Sequence, residues 1–235
     1  MTKKLCVAIF VLFLHGSGFA KGAYWVTSFG DLLFQFSTVE SDQVHLNQRM
    51  RFTGWFHVGQ YKHYDLTPNF GFYYGSNVRN VGLIYTYTDG EDEHKIKRRA
   101  YTAGVPLVFK LGDLDENKFF YLGAEAEVAF HYKQKDIVNS GSKSIEKEWF
   151  SSRVNIIQPS VIFGRQFKGG LDLGFKWYLR DFINSGYNGK DFGNKVDYRG
   201  FKSSQIFYVA LSWKIKSGTI TSELRNKEET KFAVY

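Results

Sequence analysis

The chain has 235 residues, a formal charge of +8, 18% aromatic residues, 23 glycines, three prolines and one cysteine, a composition that favours strands over helices. The lone Cys6 lies in the first apolar stretch, so the sequence after it carries no thiol, and disulfide or thiolate chemistry is excluded there. Beyond that stretch no apolar run reaches the length of a transmembrane helix, so a membrane location would require a closed barrel.

Residues 1–20 read as a secretory signal peptide. Lys3 and Lys4 precede an apolar run from Leu5 to Leu14, and Gly18-Phe19-Ala20 offers small residues at the cleavage site. A run of that length is too short to anchor the chain as a spanning helix. Cleavage after Ala20 leaves 215 residues with a charge of +6, enough for one large β domain over 21–216. Residues 217–235, "SGTITSELRNKEETKFAVY", form a polar tail. It reads as a periplasmic extension, the alternative being that the last strand is misplaced.

Period-two patterning predicts eight strands, at about 29–40, 48–61, 70–87, 96–111, 119–132, 150–167, 171–183 and 204–216. Connections after the second, fourth and sixth are shorter turns. Those after the third, fifth and seventh are mostly longer and polar, as "TDGEDEHK" and "KQKDIVNSGSKSIEKEW" illustrate. Short turns at one end and long loops at the other predict an all-β, eight-stranded antiparallel up-and-down transmembrane β-barrel.

Volume decides which face is inside. An eight-stranded barrel has a lumen just wide enough to be filled by side chains. One parity carries Phe34, Phe36, Phe52, Phe56, Tyr101, Leu107, Phe109, Phe120, Phe130, Phe163, Phe175, Trp177, Phe207 and Trp213, too bulky for that space. The other carries Ser37, Thr53, Ala100, Thr102, Gly104, Gly123, Ala129, Ser160, Gly164, Gly174, Ala210 and Ser212. Bulk therefore faces lipid, and small or charged residues face the axis. Glu125 and Glu127 then point into the lumen, where unpaired carboxylates are costly. Lys176, Arg180, Arg51 and His57 share the inward parity, which predicts an ionic network plugging the barrel.

The chain resembles the small outer-membrane β-barrel proteins of Gram-negative bacteria, the porin-like, OmpA/OmpX-type barrels. "NFGFYYGSNVRNVGLIY", "AGVPLVFKLG" and "EWFSSRVNIIQPSVIFG" carry the strand texture of such proteins. The resemblance implies residence in the outer membrane as a monomer, amid lipid and lipopolysaccharide, after delivery by the outer-membrane insertion machinery. It brings no functional motif, and the polar tail departs from barrels that end on their last strand.

Chemistry is hard to place. His131 is predicted to face the lumen, and no serine stands in a strained G-x-S-x-G turn, so no hydrolase triad is assembled. The other histidines lack metal-ligand spacing, and no cofactor or nucleic-acid motif is present. The last long loop interleaves Lys190, Lys195, Arg199 and Lys202 with aromatics, which would suit lipopolysaccharide phosphates, although Asp191 and Asp197 intervene as in an ordinary solvated loop. The reading is a non-enzymatic, lumen-plugged scaffold presenting surface loops. A narrow passive channel and a lipid-modifying enzyme are the alternatives.

Overall fold

The computed structural model describes residues 23–54 and 57–216. The segment predicted as a signal peptide, the segment predicted as a C-terminal tail and Phe56 lie outside the described residues. Fourteen strands and one short 3-10 turn make up the regular structure: β1 (Ala23–Phe29), β2 (Leu32–Ser41), β3 (Asn47–Arg49), β4 (Arg51–Thr53), β5 (Val58–Asp65), β6 (Phe70–Asp89), β7 (Asp92–Asp113), β8 (Lys118–Val138), β9 (Ser142–Trp149), β10 (Ile157–Gln166), β11 (Leu171–Tyr178), β12 (Asn188–Asp191), β13 (Asn194–Asp197) and β14 (Phe201–Lys216).

All pairings are antiparallel. The path β1-β5-β6-β7-β8-β10-β11-β14 returns to its start, because β1 pairs with β14 at Val26↔Lys216 as well as with β5. The result is a ring of eight strands. The remaining elements extend these staves. β2 continues β1 along the β14 edge after a break at Gly30 and Asp31, and β3 and β4 precede β5 along one interrupted strand. β9 pairs with the far half of β8, and β10 pairs with its near half. The eight predicted strands thus correspond to the eight staves, while their interruptions carried no compositional mark.

The two ends differ in height. At one end β5–β6, β7–β8 and β10–β11 join through residues 66–69, 114–117 and 167–170. Gly169 and Gly170 turn there with φ of +86° and +91°, a region that glycine enters without steric cost. At the other end β6 and β7 stay paired to Asp89↔Asp92, and β8 and β9 to Val138↔Ser142. The long polar loops expected after strands three and five are therefore tight hairpins on extended strands. β7 alone has 22 residues, about 70 Å at strand rise. A membrane strand requires only about 9–11 residues. β3 and β6 to β9 stand as a wall well above the rest of the ring.

The interior expected from parity is present, with two corrections. A bulge pairs Tyr101 with His131 and Thr102 with Ala129, so Phe130 is the extra residue. Beyond it the parity of β8 inverts. His131 faces outward against Trp149, with ring centroids 4.8 Å apart, and Tyr132 faces inward, 1% exposed. Their predicted faces are exchanged. Second, the interior is not lined only by small residues and charges. Tyr61, Tyr73, Tyr121, Tyr178 and Tyr208 are buried there as well. Glycines make the room: a Cβ on Gly164 would collide with the Tyr121 hydroxyl, and one on Gly174 would lie 2.7 Å from it.

Candidate functional site

The residues that the fold gathers are the charged and phenolic side chains inside the ring. They form tiers along the inward positions of β8. Nearest the short turns, buried Lys110 is held by Asp65, by Tyr24 Oη at 3.1 Å and by His63 Nδ1 at 3.2 Å. Above it, Arg79 pairs with Asp31 at 2.7 Å, and Lys214 with Asp172 at 2.9 Å; the Tyr121 hydroxyl donates to Asp172 at 2.9 Å.

The central tier answers the question posed by Glu125 and Glu127. Alternation puts both on the inner face of β8, and register sets Lys176 of β11 across β10 from them. Lys176 Nζ lies 3.0 Å from Glu125 and bonds Glu127 directly. The Tyr178 hydroxyl donates to Glu127 at 2.7 Å, and Asn77 Nδ2 donates to Glu125 at 2.9 Å. Lys176 and Glu127 have no exposed side-chain surface. Such a cluster is stable only when its charged groups find partners, as both carboxylates and the ammonium do here.

Of the other residues predicted to join this network, none does. Arg180 is exposed, because β11 ends at Tyr178 and the chain leaves the ring before reaching it. Arg51 and His57 are buried elsewhere, at the break in the second stave. Between the pairs Arg49↔Ile84 and Val58↔Val78, residues 79–83 of β6 have no ladder partner on this side among the described residues. The β6 backbone left without a ladder there bonds side chains instead. Gln35 Nε2 donates to the Asn80 carbonyl at 3.0 Å, and Gln35 Oε1 accepts from the Gly82 N–H at 2.9 Å. Arg51 donates to the same carbonyl at 3.1 Å, and the Asn80 N–H reaches His57 Nδ1 at 3.3 Å. Gln35 thus replaces a missing peptide group, a role that no sequence pattern announced.

The top tier joins the wall to the long loop. Arg153 bonds Asp191 at 2.7 Å, Glu146 at 2.6 Å, Glu148 at 2.5 Å and the Lys190 carbonyl. Tyr198 Oη donates to Asp191 at 2.5 Å. The long loop after β11, with its β12–β13 hairpin, is thereby tied inward over the ring. The basic residues predicted on this loop have separate fates. Arg199 is bound by Asp197 at 2.5 Å and Lys202 by Asp42 at 2.5 Å, while Lys190 and Lys195 face each other across the hairpin. The Arg199 side chain and its N–H hold the Asp197 carboxyl below the usual carboxylate range.

Between these tiers the interior retains a cavity of about 40 Å³ lined by Asp31, Arg79, Tyr121, Asp172 and Lys214 among others. That is space for a few water molecules. No group of three or more His, Cys, Asp or Glu side chains is placed to hold a metal among the described residues.

No family model matches the chain, and no curated protein matches it. Solved structures with some likeness include Neisserial surface protein A (14% identity, TM-score 0.39, covering 83% of this chain and 99% of that one). Others are Ail of Yersinia pestis (12%, 0.34, 82% and 99%) and OprG of Pseudomonas aeruginosa (10%, 0.38, 83% and 97%). Overlap at that level carries no weight here, and the architecture stands on the strand pairing described above.

Proposed function

We propose that this protein is a closed outer-membrane β-barrel of a Gram-negative cell, exported by its signal peptide and acting as a lumen-plugged scaffold for surface segments. One observation carries the reading: polarity is inverted across β7, β8, β10, β11 and β14. Phe109, Phe120, Leu122, Phe163, Trp177 and Trp213 point outward and are each about half exposed, while Lys176 and Glu127 are sealed inside. An apolar belt over these staves is what hydrocarbon requires and what water would drive to aggregate. The plug reading is supported by the tiers of ion pairs and tyrosines that occupy the inward positions of the ring. The tall wall and the tied loop stand on the side opposite the short turns, the side that such barrels present to the exterior.

Refolding into phosphatidylcholine vesicles tests both halves. The folded protein should float with the vesicles, and planar-bilayer recording should show no steady current. Folding to a monodisperse species in plain buffer would overturn the membrane reading. A steady ohmic conductance would overturn the plug and favour the narrow channel.

A further inference from the structure

The tall wall carries a feature that the interior does not explain. On its outward face, just above a row formed by Tyr101, His131 and Trp149, the pairing register stacks three rows. Arg99, Lys133 and Lys147 lie side by side in the first. Lys97, Lys135 and Ile145 form the second, which continues through Ile84 to Arg49. Lys95, Ile137 and Lys143 form the third. Their strand neighbours Ile96, Arg98, Tyr132 and Gln134 are buried inward, so these cations face out.

Like charges directly opposite across a ladder are destabilising. Here Arg99↔Lys133, Lys133↔Lys147 and Lys97↔Lys135 are all such pairs, and no carboxylate occupies an outward position in the three rows. Among the described residues, none of these cations belongs to an ion pair within 4 Å; Arg98, which does, points inward. The patch spans roughly 10 Å across three strands and 14 Å along them. It is also not purely polar, because Ile145 is 50% and Trp149 66% exposed within or beside it. Aromatic and aliphatic groups mixed with lysine mark the boundary between acyl chains and headgroups. A soluble polyanion would have no use for them.

We infer that the outward rows of β7, β8 and β9 form a binding site for the phosphate groups of an outer-leaflet glycolipid. Its acyl chains would lie on the apolar belt below the Tyr101–Trp149 row, and its phosphorylated sugars would lie among the lysines. This site rests on the membrane reading proposed above, and it is distinct from the β12–β13 loop.

The test uses full-length mature protein in phosphatidylcholine vesicles doped with bis-phosphorylated lipid A, dephosphorylated lipid A or phosphatidylglycerol, with bound lipid counted by native mass spectrometry. The expected result is retention of bis-phosphorylated lipid A above the other two. Lys97→Gln/Lys135→Gln should weaken it by about thirtyfold, given roughly 1 kcal/mol for each basic residue at an anionic surface. Lys190→Gln/Lys195→Gln, a matched cross-strand lysine pair on the loop, should leave retention unchanged. Equal weakening by the two pairs, or no weakening by the first, would overturn the site. So would equal retention of phosphatidylglycerol, or displacement by inorganic phosphate or a sulfated polysaccharide, which would make the patch a generic anion surface. Protein that floats with vesicles but shows no lipid preference refutes this inference alone; failure to float refutes the membrane reading with it.

Discussion

Lys176→Met isolates the central tier. In the native ring Lys176 offsets two carboxylates that are both buried. Methionine preserves most of the side chain's volume and removes only the charge. Glu125 and Glu127 then face each other across the vacated position, each with one remaining donor, Asn77 or Tyr178. Breaking a buried pair by deleting one partner costs about 3–5 kcal/mol by experience. The expected loss is therefore about 3–5 kcal/mol, read by urea unfolding in vesicles through the fluorescence of the five tryptophans. Lys176→Met/Glu125→Gln/Glu127→Gln should recover most of it, to within about 2 kcal/mol of wild type, because a neutral cluster has no desolvation debt. A solvated lumen would behave differently, since an exposed pair is worth about 0–1 kcal/mol. A single-variant loss below about 1 kcal/mol, with no recovery in the triple variant, would refute the dry ionic plug.

Gln35→Leu should cost about 2–4 kcal/mol, because the Asn80 carbonyl loses one of its donors and the Gly82 N–H loses its acceptor; hydrogen exchange at Gly82 should accelerate while β10 stays protected. Gly164→Val should cost about 1–3 kcal/mol by displacing the Tyr121 ring from its contact with Asp172, seen as a lowered urea midpoint. Arg153→Ala should free the β12–β13 hairpin from Asp191, so that limited proteolysis cuts within residues 188–197 in the variant before the wild type.

Strand number and the orientation of the belt were legible because both rest on period-two alternation, which the ring obeys over most of its length. Phe120 and Leu122 outside, with Tyr121 between them inside, show how directly parity reads out. What stayed hidden is of two kinds. A bulge adds one residue without altering composition, so His131 and Tyr132 were assigned to exchanged faces from a pattern that looked continuous through Phe130. Partners that join distant strands leave no local sign either: Gln35 caps β6 from 45 residues away. Arg180 was placed inside by extrapolating parity past the end of β11. The outward lysines were legible in principle. "IKRRAY" falls inside the strand predicted at 96–111, whereas "KQKDIV" reads as loop because it is polar and lies beyond the strand predicted at 119–132.

The uneven height of the ring follows from where each face finds its solvent. Below the Tyr101–Trp149 row the outward side chains of β7 and β8 are Val105, Leu107, Phe109, Phe120 and Leu122; above it they are almost all basic. The inward face crosses the same boundary without changing character, since Arg98, Tyr132 and Gln134 are as buried as Glu125 and Glu127 below. The inward face is therefore buried on both sides of that row, and only the outward face changes there from apolar to basic. The Arg153–Asp191 pair braces the tall wall, tying β9 to the β12–β13 hairpin above the level where the ring is complete. A rigid basic surface held at fixed height suits a partner that is itself layered, with apolar chains below and phosphates above.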